Sequence, residues 1–190
     1  MKKEFWDSRW ENNQIGWDLE QVSPPIKAYI DQLENKTIKI LIPGCGNAYE
    51  AEYLYENGFK NVFIVEISNL AVQSFMNRYP AFPKNHIFNE DFFDFDEQFD
   101  MVLEQTFFCA IDPSRRNDYV KKMSQLLKPQ GKVVGVLFNR NFPEGPPFGG
   151  NAKEYKERFE KFFTIKTIEE CYNSIQPRQG SEVFINLQVK

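Results

Sequence analysis

Histidine is nearly absent: His86 is the only one in 190 residues. A histidine-rich metal centre is therefore excluded, and a histidine-based triad would have to use that one ring. Cysteine is sparse too. Cys45, Cys109 and Cys171 are odd in number, far apart and without a Cys-x-x-Cys pair, so no disulfide framework is visible. That pattern predicts a reduced, cytoplasmic, metal-free protein. No apolar run is long enough to span a bilayer, and the opening "MKKEFWDSRW" lacks the apolar core of a signal peptide. An excess of positive charge is also missing. With 23 Lys and Arg against 27 Asp and Glu, the net charge of −4 argues against binding to nucleic acid. The locally basic "YVKKMSQLLK" reads as a solvated helix face. Internal repeats and low-complexity tracts are absent, and the length suits a single domain, 1–190.

Aromatic side chains are abundant at 16%, with 19 Phe. Such an excess fills cores and also walls dry pockets. The hydrophobic pattern alternates between short apolar runs and amphipathic stretches. "IKILI" (38–42), "NVFIVEI" (61–67), the weaker "HIFNED", "FDMVLEQ" (99–105) and "KVVGVLF" (132–138) read as buried strands. Between them, 48–57, "SNLAVQSFMNRY" with Ser68 as N-cap, and "SRRNDYVKKMSQLLK" read as helices. Strands alternating with helices predict a doubly wound, mostly parallel α/β sheet. After residue 150 the rhythm changes. One helix, "NAKEYKERFEKF", precedes two strand-like runs, "FTIKTIEEC" and "SEVFINLQVK", which predict a terminal antiparallel hairpin. Seven strands of this kind fit a class I, Rossmann-like methyltransferase architecture better than a plain dinucleotide fold. The Pro- and Gly-rich loop "NRNFPEGPPFGG" (139–150) suits a lid or an ordinary surface loop equally.

The first strand runs into "PGCGNAYE", placing Gly44-x-Gly46 at the carboxyl edge of the sheet, where such folds bind ligands. The third glycine of a dinucleotide fingerprint would fall at Tyr49, which obstructs a pyrophosphate. Alone, the two glycines fit a simple tight turn. Glu66 closes the second strand 20 residues beyond Gly46, where a carboxylate accepts from the ribose hydroxyls of an adenosine ligand or caps the following helix. Asp91, after the third strand, is placed for an adenine amino group with Phe92 against the ring, although acids are common in turns.

Taken together these residues resemble the thiopurine S-methyltransferase family, and particularly its plant-type halide and thiol methyltransferase branch. "W-x-x-x-W" at Trp6 and Trp10, "GWD" at Trp17, "PGCG", "VEIS", "EDFFDF", "FFCAI-x-P-x-x-R", "LLKP-x-G" and "GPPF" follow in the family's order. The match runs from about Glu4 to Phe148. The resemblance implies that S-adenosylmethionine is the cofactor and that residues 1–22 form a segment covering it. Trp6, Trp10 and Trp17 would line its pocket. Gly44 and Gly46 would lie against its methionine part, Glu66 and Ile67 at the ribose, and Asp91 with Phe92 at the adenine. Gln105 stands near cofactor and acceptor where that branch tends to carry an aromatic residue, and Arg116 matches a family arginine near the acceptor, as Trp17 does a pocket tryptophan. Many methyltransferases carry an acid where this chain has Ile42, and Glu50 is the candidate substitute partner for the cofactor's ammonium group, or else an ordinary helix-start acid.

The implied activity is methyl transfer to a small nucleophile, a thiol, hydrosulfide or halide. It needs alignment and dryness more than an acid–base pair, and no catalytic residue is assigned. "EQTFF" after the fourth strand lacks the Asn/Asp-Pro-Pro-aromatic motif common in amino-directed enzymes. Two alternatives stand: a nicotinamide-dependent oxidoreductase, and a non-catalytic protein that keeps the fold. A monomer is mildly preferred. Cys109 reads as core, Cys45 as a turn residue, and His86 as structural or exposed.

Overall fold

The chain builds one seven-stranded sheet, which a computed structural model describes over residues 2–190. Its strands are β1 (Ile40–Pro43), β2 (Val62–Val65), β3 (Ile87–Phe88), β4 (Phe99–Gln105), β5 (Leu127–Phe138), β6 (Phe163–Glu170) and β7 (Glu182–Val189). The spatial order is β3-β2-β1-β4-β5-β7-β6. The first five strands are mutually parallel, β7 is antiparallel to β5, and β6 is antiparallel to β7. The expected parallel sheet with a terminal hairpin is thus present.

The helices are α1 (Lys3–Glu11), α2 (Pro24–Ile30), α3 (Tyr49–Glu56), α4 (Asn69–Arg78), α5 (Phe107–Ala110), α6 (Arg116–Gln125) and α7 (Ala152–Phe159). Alternation of side chains along β1 divides the core. Ile40 and Ile42 pack with Ile26 and Ile30 of α2, Ala51 and Leu54 of α3, and Phe75 of α4 on one face. Leu41 joins Phe108, Tyr119, Tyr155 and Phe159 from α5, α6 and α7 on the other. All four residues of β1 are buried, which is why the strand reads as a continuous apolar run.

Three differences from the sequence pattern have physical reasons. Helix α1 has no buried residue and little apolar contrast between its faces, so periodicity alone could not reveal it. Helices α2 and α5 have only 7 and 4 residues, below the length at which a helical period is recognisable. Strand β5 starts at Leu127 rather than Lys132, with an irregularity where pairing jumps from Phe99↔Leu127 to Met101↔Lys132. The polar "KPQG" inside it masks the strand.

Helix α4 begins as expected, with Ser68 Oγ accepting from Ala71 N at 3.2 Å. In "DFFDFDEQFD", Phe92, Phe95 and Phe99 turn into the core. His86 is structural: its Nδ1 lies 3.0 Å from Val62 O and its ring stacks on Phe63. Cys109 is fully buried, and Cys171 lies just past β6 rather than within it. No helix among the described residues is long and apolar enough to cross a membrane.

Candidate active site

The carboxyl ends of β1, β2, β4 and β5 open into a cavity of about 560 Å³. The turn after β1 shapes its floor. Gly44 has φ +56°, and a Cβ there would stand 2.2 Å from Cδ2 of Phe107. The close approach that requires this glycine is therefore made by a phenylalanine ring of α5. Gly46 faces the indoles of Trp17 and Trp10, with room for an ordinary contact.

Glu66 ties this turn to the end of β2. It is 7% exposed, and its two oxygens accept from Gly46 N at 3.0 Å and Ser68 N at 2.9 Å. Burial raises its pKa, and the two amide donors oppose that shift. Each carboxylate oxygen keeps a lone pair for a further donor. Glu50, near the start of α3, is 5% exposed and accepts from Ser23 N at 2.9 Å, with burial again raising its pKa. Cys45 also lines the cavity, and burial followed by the Glu66 carboxylate holds its thiol far above the ordinary range.

The N-terminal segment forms the wall opposite the sheet. Trp17 meets Trp6 edge-on at 5.5 Å and Trp10 at 6.4 Å between ring centres. Polar links hold the segment and the residue after it down. Ser68 Oγ donates to Asp7 at 2.6 Å, Asn47 Nδ2 donates to Asp18 at 2.6 Å, Arg178 Nη2 donates to Trp17 O at 2.7 Å, and Glu50 takes the Ser23 amide.

On the far side, β4 ends in Glu104 and Gln105. Glu104 is fully buried, accepting from Phe107 N, Phe108 N and the hydroxyl of Tyr119. It thereby anchors α5 behind the cavity wall, and burial pushes its pKa up to about 7. Gln105 lines the cavity itself. Both polar atoms of its amide are buried and have no hydrogen-bond partner among the described residues. A buried amide left this way costs about 1–3 kcal/mol, which a polar ligand in the cavity would recover.

Trp6, Trp10, Trp17, Gly44, Gly46, Glu50, Glu66, Ile67, Asp91, Phe92 and Gln105 all line this one cavity. Arg116 does not, and the expectation that it faces the acceptor is corrected. Its guanidinium is buried, binding Glu154 at 3.0 Å and Gly149 O at 2.6 Å, so it bolts the 139–150 loop to α7. The sequence reading missed Phe93, Phe107, Phe138, Arg140, Phe142 and Arg178, which also line the cavity. Position just beyond β5 could have pointed to Arg140. For Arg178, 161 residues from its partner Trp17, no local signal exists.

The residues suit an adenosyl ligand bearing both positive and negative charge: paired acids at the strand ends, aromatic walls, and an amide awaiting a partner. This sheet order around such a cleft is that of the S-adenosylmethionine-dependent methyltransferases. The fold is shared with the 1,6-didemethyltoxoflavin-N1-methyltransferase of Burkholderia thailandensis, solved with bound S-adenosylhomocysteine. The TM-score is 0.78 at 16% identity, covering 99% of this chain and 87% of that one.

The sequence carries the identification further. The model of the family "Thiopurine S-methyltransferase (TPMT)" matches residues 1–187, and the chain belongs to that family. It is similar to the probable thiol methyltransferase 2 of Arabidopsis thaliana, at 29% identity over 93% of this chain and 81% of the relative. Its identity to a thiopurine S-methyltransferase of Vibrio parahaemolyticus is 32%, over 83% of this chain and 81% of the relative. The protein is an S-adenosylmethionine-dependent methyltransferase, and the nicotinamide alternative falls.

Proposed function

We propose that this enzyme methylates a small, soft nucleophile, with a thiol or hydrosulfide preferred and halide as the variant of the same chemistry. One observation carries the reading: the unpartnered amide of Gln105, buried in a cavity walled by Trp17, Phe107, Phe138 and Phe142. Such a place holds one polar atom of a small acceptor and keeps water away from it.

S-adenosylmethionine, held by these residues, would supply an activated sulfonium methyl for transfer to the acceptor. The chain's residues then divide the work. Glu66 takes the ribose hydroxyls on its remaining lone pairs, with Ile67 beside it. Asp91 faces the adenine amino group, and Phe92 with Phe93 supports the ring. Glu50 faces the ammonium group, and Gly44 and Gly46 leave the backbone bare beside the methionine part. The tryptophan cover excludes water from a reaction in which a cation and a thiolate become two neutral products, so dryness favours the transition state. Aromatic faces tolerate the sulfonium charge by about 0.5–2 kcal/mol per contact.

We read residues 1–190 as one cytoplasmic, monomeric domain with residues 1–22 as its cover. Methylation of hydrosulfide, simple thiols, an aromatic thiol and iodide tests the acceptor class. Turnover of the sulfur nucleophiles is the expected result, and silence on the whole panel ends the proposal. That silence, if S-adenosylhomocysteine still binds in calorimetry, would point to the non-catalytic alternative.

A further inference from the structure

Charges of both signs line the cavity, at different strand ends. Glu66 and Asp91 belong to the β2 and β3 ends, and Glu50 sits on α3, directly after β1. Arg140 follows β5, and Arg178 precedes β7. The arginines lining the cavity are Arg9, Arg115, Arg140 and Arg178, and they are not equivalent: Arg9 donates to Gln14, and Arg115 lies over the Phe93 ring on the β3 side. Arg178 is 8% exposed and spends its donors on Glu182 at 3.2 Å and Trp17 O at 2.7 Å, so its charge is already matched. Arg140 is exposed, lines the cavity, makes no ion pair and donates no side-chain hydrogen bond among the described residues. Only the ring of Phe142 lies beneath its guanidinium, at 4.7 Å.

The backbone of Arg140 is nonetheless held firmly. Arg140 O accepts from Gly150 N at 3.0 Å, and Asn141 pairs with Gly149 in an antiparallel bridge. Gly149 is obligatory there, since its φ is +70° and a Cβ would stand 1.8 Å from Arg140 O. The buried guanidinium of Arg116 then clamps Gly149 O from behind. A loop braced from two sides thus presents one unmatched guanidinium, stacked on a phenyl ring, at the rim of an apolar cavity. Its planar fork suits a carboxylate.

Resting on the methyl-transfer reading above, we propose that Arg140 binds a carboxylate carried by the acceptor, separate from the reacting sulfur, so that the preferred substrates are mercapto acids. The sulfur lies toward Gln105 and the carboxylate toward the 139–150 loop. Pairing with Arg140 also offsets the effect of the acceptor's own carboxylate, which would otherwise disfavour the thiolate. Glu50, Glu66 and Asp91 are left to the cationic cofactor.

The experiment compares mercaptopropionate, mercaptoethanol and cysteamine as acceptors, with rates normalised to each thiol's ionised fraction. For the parent enzyme kcat/KM should favour mercaptopropionate over mercaptoethanol by about 10-fold or more, with cysteamine last. The preference should shrink as salt rises, because the guanidinium is exposed. In Arg140→Gln the ratio should fall to within about twofold through the KM of the mercapto acid, and Arg140→Lys should keep part of it. Calorimetry of mercaptopropionate with the S-adenosylhomocysteine-saturated protein gives a readout independent of turnover, and Arg140→Gln should lose that binding. Equal use of the neutral and acidic thiols by the parent, or a preference that survives in Arg140→Gln, overturns the proposal while leaving methyl transfer intact. If no thiol turns over, the functional reading fails, and calorimetry still decides: no mercaptopropionate binding, or binding unaltered in Arg140→Gln, overturns the role of Arg140 as well.

Discussion

Replacing Gly44 by alanine probes the turn on which the cavity is built. Two costs can be separated. An alanine at φ +56° carries the left-handed penalty, about 1–2 kcal/mol. Its methyl would also overlap the ring of Phe107, 2.2 Å from Cδ2 and 2.7 Å from Cγ. That ring cannot simply swing aside. It packs edge-on against Phe92 at 5.3 Å and Tyr119 at 5.8 Å, while its backbone amide is held by Glu104. Relieving the overlap should cost about 1–3 kcal/mol, as overpacked cores do. The expected total is about 2–5 kcal/mol, which for a chain of this size lowers Tm by about 2–4 °C per kcal/mol. Urea unfolding of Gly44→Ala, Phe107→Ala and the double variant closes a mutant cycle. Removing the ring should recover the overlap cost, about 1–3 kcal/mol, and leave the backbone strain. Additive effects, or a single variant within about 0.5 kcal/mol of the parent, would refute the assignment of Gly44 to the contact with Phe107.

Three further outcomes are expected. Because burial raises Glu104 from an ordinary 4.5 to about 7, the folded state holds an extra proton across that window. Stability should therefore fall as pH rises through it, by about 3 kcal/mol in all, and the Tm-versus-pH slope should flatten in Glu104→Gln; an unchanged slope assigns the effect elsewhere. Glu66→Ala strands the amides of Gly46 and Ser68, costing about 1–3 kcal/mol, and should abolish the thermal stabilisation by S-adenosylhomocysteine expected of the parent. Arg116→Gln should lose about 1.5–3 kcal/mol in denaturant unfolding, the smaller range applying because Glu154 retains Arg158 at 2.8 Å. A neutral result there would mean that Gly149 O finds water instead.

The strands and their direction were readable because each is a short apolar run bounded by Gly, Pro or polar residues, and the helices between them carry a clear period. The hairpin was readable from a missing helix. The strand-end part of the cavity wall was readable too, since Gly44, Gly46, Glu66 and Asp91 follow strands directly and share one edge of the sheet. Helix α1 was not, because its tryptophans face a ligand cavity rather than a core and so leave no buried stripe. Arg116 was misplaced for a different reason. Its position in the motif is visible in one dimension, but the direction of a guanidinium on α6 depends on Glu154 and Gly149, 38 and 33 residues further along.

The order of apolar runs, glycines and strand-end acids was enough to determine a parallel sheet, its hairpin and the edge where the cavity opens. Those features depend on local periodicity and on backbone conformation, which neighbouring residues dictate. Only the tertiary structure decided which charges are matched. It neutralised Arg178 and buried Arg116, left Gln105 without a partner, and held Arg140 open at the rim. Pairing and desolvation are set by atoms brought together from distant parts of the chain, and no local pattern encodes them.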